Sequence, residues 1–187
     1  MTDPLEPLDP FTLLGLPHKF DLSRAEIQAA HLRHLARLHP DRIADPIERI
    51  EASMAAARVN QARAILENDE HRANELLVRL GGAEREEDRT LPDGFLAEMM
   101  ETRERIETLM QSDGGQARTE IEGWAAAERR GYLERLRRVL QEAAGVEGDR
   151  RTALLAEGRQ QLNAWRYIER LLEQLGDAER SSPRETP

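Results

Sequence analysis

Proline and glycine divide this sequence into stretches in which apolar residues recur every three or four positions. That spacing is typical of amphipathic α-helices that bury one face. Only 4% of the residues are aromatic, and alanine, leucine, glutamate and arginine are abundant, which favours helices over strands. We therefore expect an all-α protein of one or two small domains, and the composition argues against a β-sandwich or a barrel.

Four helices are expected in the first eighty residues, because start and stop signals flank each of them. Ser23 and Glu26 have the spacing of a capping box, in which each side chain satisfies a free backbone N–H at the start of a helix. Pro40 ends that helix at Leu38 or His39, since the residue before a proline is kept out of the α region. The remaining signals are Pro10 and Gly15 around a short first helix, Asp45-Pro46 before a third helix to about Leu66, and Gly81-Gly82 after a fourth.

A polar segment and a second helical region follow. Residues 83–92 have almost no apolar content and are expected to form a solvated linker. The three helical patterns beyond it are separated by short glycine-containing breaks, which favours antiparallel neighbours. We therefore predict a helical domain at 9–82, a three-helix bundle at 93–177, an extended segment at 1–8 and a disordered polar tail at 178–187. The expected bundle helices run from Gly94 to Ser112, Gln116 to Ala144 and Arg150 to Leu175.

Charge and cysteine content argue against several classes of function. The net charge is −9, which disfavours a protein whose main task is to neutralise nucleic-acid phosphates. There is no cysteine, so disulfides, thiolate metal sites and cysteine nucleophiles are excluded. No apolar run approaches the roughly 20 residues needed to cross a bilayer, and Asp3, Glu6 and Asp9 stand where a signal peptide would be basic and then apolar. We expect a cytoplasmic protein with no cofactor, no metal and neither a membrane nor a nucleic-acid partner.

Two pairs of large side chains are interpreted as core rather than as sites. His31 and His34 are three residues apart on a predicted helix, which places both rings on one side and could allow metal binding. No third ligand of suitable spacing accompanies them, so both are expected to pack in a small core. Trp124 and Trp165 are likewise expected to fill the core of the bundle.

The loop between the second and third predicted helices carries the strongest functional signal. It contains His39-Pro40-Asp41, and the helix before it carries Arg33 and Arg37 with few opposing acids. Pro40 fixes its own φ and prevents the helix from continuing, so the loop can hold Asp41 in a defined position. From there the carboxylate can form a charge-assisted bond to an arginine of a partner, while Arg33 and Arg37 face acidic groups of that partner.

This arrangement resembles the J domain of DnaJ-type co-chaperones. A short first helix, a capped basic second helix, the histidine-proline-aspartate loop and an antiparallel third helix occur in the expected order. The resemblance implies that this region contacts a DnaK-class chaperone and stimulates its ATPase, so that the catalysis belongs to the partner. The implied chaperone-binding residues are His39, Pro40, Asp41, Arg33, Arg37 and Arg42.

Some positions depart from the usual J-domain pattern. Leu38 and Arg42 replace the tyrosine and lysine that commonly flank the motif, but they keep its apolar and cationic character. Leu32 stands where many J domains have a basic residue. The chaperone contact is therefore expected to be weaker, or to depend more on Arg33 and Arg37.

Four further segments carry a more specific resemblance: Asp9–Pro17, Val59–Ala62, Arg72–Leu77 and Phe95–Glu104. They resemble the HscB family, the J-domain co-chaperones of iron–sulfur cluster assembly. The resemblance spans about residues 9–177 and thus both predicted domains, which a general J-domain protein would not show. It implies that the C-terminal bundle binds an IscU-type scaffold protein and that the J domain delivers this scaffold to an HscA-type chaperone. Glu75 departs from the tyrosine that is usual in the family.

The first helix of the predicted bundle carries two apolar sets. Leu96 and Met100 lie at the edge of its inward stripe, beside Glu101 and Glu104. Apolar side chains with an acidic rim fit a small interface with a partner that brings basic residues. The alternative is that Leu96 and Met100 belong to a wide core stripe. The expected inward stripe is Phe95, Met99, Thr102, Ile106 and Leu109, and the resemblance implies a scaffold-binding set of Leu96, Ala97, Met100, Glu101, Glu104 and Tyr167.

Three other interpretations stand beside a non-enzymatic co-chaperone of this family. The chain could be a J-domain co-chaperone for a different client, or a helical interaction module in which His39-Pro40-Asp41 is an ordinary loop. A hydrolase using His39 as base and Asp41 as orienter lacks a credible nucleophile and a phosphate-cradling glycine loop.

Overall fold

The computed structural model describes the backbone of residues 9–38, 45–112 and 114–181, and the side chains of 9–38, 45–109, 111 and 119–173. These backbone ranges contain seven α-helices and no strand, so the all-α prediction is confirmed. The chain forms two compact units, Met1–Arg79 and Leu80–Pro187. None of the described helices is both long and apolar enough to cross a membrane. The helices are α1 (Pro10–Leu14), α2 (Arg24–Arg37), α3 (Pro46–Glu67), α4 (Asp69–Arg79), α5 (Phe95–Ser112), α6 (Gly114–Ala144) and α7 (Gly148–Ser181).

The first helix, α1, is capped at each end. The Asp9 carboxylate accepts hydrogen bonds from the backbone N–H groups of Phe11 at 3.0 Å and Thr12 at 3.4 Å, which satisfies free donors at the helix start. Gly15 ends α1 in the left-handed conformation with φ at +62°, where a side chain would be strained. The predicted start at Pro10 and stop at Gly15 are confirmed.

The predicted caps of α2 and α3 are also confirmed. The backbone N–H of Ser23 donates to the Glu26 carboxylate at 2.7 Å, and the Ser23 hydroxyl accepts from the backbone N–H of Glu26 at 3.2 Å. Asp45 caps α3 by accepting from two N–H groups of its first turn, at 2.7 and 3.1 Å. Helix α2 ends at Arg37 and α3 begins at Pro46, so residues 39–44 belong to the connection between these two helices.

The centre of the first unit is α3, which packs against α1, α2 and α4. Atom Nε2 of His31 on α2 lies 2.7 Å from the side-chain oxygen of Asn60 on α3, so a polar contact joins the two long helices as well. The apolar side chains between the helices are removed from water, which is the main stabilising term for a unit of this size. The buried set includes Phe11, Leu14, Phe20, Leu22, Ile27, Ala30, Val59, Ala62, Leu66, Ala73, Leu76 and Leu77.

A buried guanidinium ties α4 to the rest of the first unit. Arg72 is 5% exposed, and its Nε donates to the carbonyl oxygen of Phe20 at 2.8 Å. Its terminal nitrogens donate to the carbonyl oxygen of Leu66 and to the carboxylate of Asp69. The guanidinium carbon also lies 5.0 Å from the centre of the Phe20 ring, within the range of a cation–π interaction. One side chain thus links the junction of α3 and α4 to the segment between α1 and α2.

Replacing Arg72 with Leu should lower the free energy of unfolding of the first unit by about 3 kcal/mol, because two carbonyl oxygens each lose one donor and Asp69 loses its ion pair. Urea unfolding followed by far-ultraviolet circular dichroism measures this change. Tryptophan fluorescence separates the two units, since both tryptophans belong to the second. Arg63→Leu is the matched control: Arg63 forms a part-exposed helix ion pair with Glu67 at 2.8 Å, and its loss should amount to less than about 1 kcal/mol. Equal effects of the two substitutions would contradict this role of Arg72.

The second unit is built on a hairpin of α6 and α7. Arg129 is bonded to Glu169 at 2.5 and 2.6 Å, and Arg135 lies 2.8 Å from Gln161. The later residue on α6 is bonded to the earlier residue on α7, so the two helices are antiparallel. The short connection between them predicted this arrangement. The core between them and α5 includes Phe95, Met99, Ile106, Ala125, Tyr132, Leu136, Val139, Leu140, Leu155, Leu162, Trp165, Ile168 and Leu171.

Two details of the second unit differ from expectation. Helix α7 continues to Ser181 and so includes residues 178–181, which were expected to belong to a disordered tail. Gly176 directly follows Leu175, but α7 continues through it. Alanine, glutamate and arginine at 178–180 are good helix formers, and the next proline is Pro183. Trp124 is only half-buried, whereas Trp165 is 6% exposed.

Residues 83–92, the predicted linker, are hydrogen-bonded to α7. Arg159 is 1% exposed, and its Nε and Nη2 donate to the carbonyl oxygen of Ala83 at 3.0 and 2.6 Å. Asn163 donates to two further carbonyl oxygens of the segment, each at 3.0 Å. The prediction of a solvated segment was based on its polar side chains. The contacts with α7 are made instead by its backbone carbonyl groups, which the side-chain pattern does not reveal. The segment is therefore anchored to the bundle through its main chain.

Candidate functional site

The residues predicted to bind a chaperone divide between α2 and the loop that follows it. Arg33 and Arg37 are exposed and four residues apart, so they lie on one side of α2. Leu32 beside them is 55% exposed. An exposed helix face with two guanidinium groups and one large apolar side chain fits a partner with acidic groups around an apolar contact.

The loop motif itself lies outside the described residues. This applies to His39, Pro40, Asp41 and Arg42, so their placement stays a prediction. The described flanks are nevertheless well defined: the backbone N–H of Leu38 donates to the carbonyl oxygen of Leu35 at 3.0 Å, and α3 restarts at its aspartate cap.

An apolar stripe on α3 was not recognised from the sequence. Ile47, Ile50 and Met54 are 69%, 63% and 56% exposed, and their spacing places them on one side of the helix. The packed face of α3 is formed by other residues, among them Ala52 and Val59. When a helix carries apolar residues on two faces, their spacing does not identify the buried face. Tertiary contacts then decide which face is buried.

Five of the six residues predicted to bind a scaffold protein lie on the first turns of α5. Leu96 and Met100 are 53% and 66% exposed, while Phe95, Met99 and Ile106 are at most 5% exposed. The interpretation of Leu96 and Met100 as part of a wide core stripe is therefore wrong. Ala97, Glu101 and Glu104 are exposed beside them and complete a small apolar patch with an acidic rim. We call the set Leu96, Ala97, Met100, Glu101 and Glu104 the α5 face.

Tyr167 of α7 lies next to the start of α5. Its ring meets the ring of Phe95 edge-on, with 5.5 Å between centroids and 86° between planes, and it remains 41% exposed. Phe95 directly precedes Leu96, so Tyr167 lies beside the start of the α5 face. Burial, together with the carboxylates of Glu128 and Glu98, raises the pKa of the Tyr132 phenol on α6 to about 12.

A charged pair supports α7 at Glu169, two residues beyond Tyr167. Glu169 accepts two hydrogen bonds from Arg129 and a third from the indole N–H of Trp165 at 2.9 Å. The bonds from Arg129 lower the pKa of Glu169, burial opposes them, and the Trp165 bond adds to the lowering. The ionised form is thus the one that the folded bundle stabilises.

Replacing Glu169 with Gln should make the stability of the bundle less dependent on acid pH. Because the folded state lowers this pKa below its usual 4.5, the stabilisation is present above about pH 4.5 and is lost as pH falls through the folded value. The variant should lose about 1 kcal/mol at pH 7 and less at pH 3. Urea unfolding followed by tryptophan fluorescence at both pH values measures the difference. Glu157→Gln, whose carboxylate is 3.9 Å from Arg138, is the control and should change little at either pH.

The histidine pair gives no indication of a metal site. His31 is 5% exposed and packs in the core as predicted, and its Nδ1 has no hydrogen-bond partner among the described residues. His34 is half-buried. Within the ranges given above, no three histidine, aspartate or glutamate side chains are grouped so as to hold a metal ion.

Comparison with known proteins assigns the fold and the class. Residues 91–176 match the family model of the HSCB C-terminal oligomerisation domain. The chain is 31% identical over 173 residues to a "Co-chaperone protein HscB homolog" of Bordetella petrii, covering 91% of this chain and 95% of that protein. It is 35% identical over 142 residues to a protein of the same name from Vibrio atlanticus, covering 73% of this chain and 82% of the relative.

Two solved structures share the fold. A crystal structure of human co-chaperone protein HscB has a TM-score of 0.74 at 22% identity, covering 95% of this chain and 84% of that one. Chaperone HscB from Vibrio cholerae has a TM-score of 0.67 at 22% identity, covering 92% and 98%. A J domain followed by a C-terminal three-helix bundle defines the class of helical co-chaperones. Within that class, the chain belongs to the HscB family.

Proposed function

We propose that this chain is a non-enzymatic co-chaperone of iron–sulfur cluster assembly in the cytoplasm. Its J domain, residues 9–82, stimulates the ATPase of a DnaK-class chaperone of the HscA type. Its bundle, residues 93–177, binds an IscU-type scaffold protein and delivers it to that chaperone. The observation that carries the proposal is the exposure of Leu96 and Met100 on a helix that buries Phe95, Met99 and Ile106.

The chaperone contact is assigned to the basic side of α2 and the loop after it. Arg33 and Arg37 steer the approach of an acidic surface, which acts mainly on the rate of association. Asp41 supplies the charge-assisted bond that the activated state of the chaperone requires, and Pro40 holds the loop in position. His39 and Arg42 complete the contact.

The scaffold contact is assigned to the α5 face together with Tyr167. Leu96 and Met100 lose exposed apolar surface on binding, which supplies most of the affinity. Glu101 and Glu104 pair with basic groups of the scaffold at the rim. The phenol ring of Tyr167 adds apolar area with a polar end that can reach a hydrogen-bond partner.

The test is the steady-state ATPase rate of the matching HscA-type chaperone, measured with its scaffold protein while the wild-type chain is titrated. We expect stimulation that saturates and that is larger with the scaffold present. If no DnaK-class ATPase responds, the chain is instead a helical interaction module. Stimulation without any binding of the scaffold would indicate a J-domain co-chaperone that serves a different client.

A further inference from the structure

The second unit contains a basic groove that the proposed function does not use. It has a volume of about 370 Å³ and lies between the anchored segment and α7. Arg85 and Arg89 line it from the segment, and Arg166 and Arg170 line it from α7. The carboxylate in its lining is that of Glu86, so guanidinium groups outnumber carboxylates by four to one.

The walls of this groove are fixed by contacts already described. Asn163, which also lines it, donates to the carbonyl oxygens of Asp88 and Thr90 at 3.0 Å each, and so holds the segment at a set distance from α7. The Arg159 bonds to Ala83 hold the start of the same segment. The groove is therefore formed before any ligand arrives, which reduces the entropy lost on binding.

The arginines are placed at some expense to the fold. Arg166 and Arg170 are four residues apart on one side of α7, a spacing at which like charges destabilise a helix. Arg89 and Arg170 are exposed and form no ion pair with a described residue. An anion in the groove would relieve this repulsion, and guanidinium forks match carboxylates with two parallel hydrogen bonds.

The groove is continuous with the proposed scaffold-binding surface, because Tyr167 belongs to both. We propose that it binds an acidic segment of the same scaffold protein, an inference that rests on the proposed function. The bundle then presents an acidic rim at Glu101 and Glu104, an apolar centre, and a basic groove beyond Tyr167. A partner with the complementary order of charges binds in one orientation, since the reversed orientation places like charges together.

Scaffold binding by four chains, measured by isothermal titration calorimetry, tests this proposal. The chains are the wild type, Arg89→Glu/Arg170→Glu, the neutralised Arg89→Gln/Arg170→Gln, and the control Arg130→Glu/Arg138→Glu. The control has the same net charge as the first variant, and both of its arginines are exposed on α6 outside the groove. Circular dichroism verifies that each chain is folded.

We expect the affinity for the scaffold to fall by about tenfold or more in the reversed variant and by a smaller factor in the neutralised one. The control should stay within about twofold, because exposed charges away from the contact are screened. The wild type should also lose affinity with added salt more steeply than the neutralised variant. If the wild type binds the scaffold and both groove variants bind it equally well, the groove proposal is overturned and the proposed function stands. If the wild type does not bind the scaffold, the proposed function fails and this inference fails with it.

Discussion

Replacing Asp41 with Asn should abolish the stimulation of the chaperone ATPase while leaving the fold intact. Asparagine has nearly the same shape as aspartate, but it loses the negative charge and the second acceptor for a guanidinium. Removing one partner of a desolvated charge pair weakens such a contact by roughly 2–5 kcal/mol, so stimulation should fall by a factor of about thirty or more. The measurement is the steady-state ATPase rate of the HscA-type chaperone as the variant is titrated.

The matched control for this substitution is Glu51→Gln. Glu51 is an exposed carboxylate of α3 in the same unit, so the control also removes one negative charge. It should stimulate like the wild type, because long-range charge alone has a small, screened effect. If Asp41→Asn and Glu51→Gln behave alike, Asp41 makes no specific contact and the loop is an ordinary connection.

The arginines of α2 should behave differently from Asp41. Replacing both Arg33 and Arg37 with neutral side chains removes the electrostatic attraction to the acidic surface of the chaperone and the contacts at the rim. The rate of association with the chaperone should therefore fall. The concentration of co-chaperone needed for half-maximal stimulation should rise, and the effect should shrink at high salt, while the maximal rate is kept. A loss of the maximal rate would instead place these arginines among the groups that activate the chaperone.

The helix ends of the first unit that carry a cap could be predicted because their signals are local. Asp9, Ser23 and Asp45 each cap a helix through hydrogen bonds to residues two or three positions away. Gly15 ends α1 for an equally local reason, its left-handed backbone. Capping residues and a C-terminal glycine can be recognised in a sequence without any knowledge of the tertiary structure. For the α5 face, helical spacing left open whether Leu96 and Met100 belong to the core stripe, and only their exposure in the folded chain decides this.

The features that could not be predicted depend on contacts between distant parts of the chain. Arg159 reaches the carbonyl oxygen of Ala83, 76 positions away, and no local pattern marks an arginine for burial. The exposure of Ile47 and Met54 depends on which face of α3 its neighbours cover. The basic groove needs both the anchored segment and α7, and arginines scattered over two elements give no sequence motif.

Replacing Leu96 and Met100 with Ser should weaken scaffold binding by about a hundredfold. Both side chains are more than half exposed in the free chain, so the substitutions remove little buried surface and the bundle should keep its stability. On binding, each would transfer apolar area out of water, worth about 1.5 kcal/mol or more per side chain, which is about 3 kcal/mol for the pair. Isothermal titration calorimetry with the scaffold protein measures the change.

Leu32→Ser/Met54→Ser is the matched control, because the same two residue types are 55% and 56% exposed in the first unit. It makes the same chemical change at an equal level of exposure, so scaffold affinity should stay within about twofold. Without scaffold, the Leu96→Ser/Met100→Ser chain should still stimulate the chaperone, since its J domain is unchanged. With scaffold, the additional stimulation should disappear. Wild-type affinity in that variant would show that the client binds elsewhere on the chain, and the exposed pair on α5 would then need a different partner.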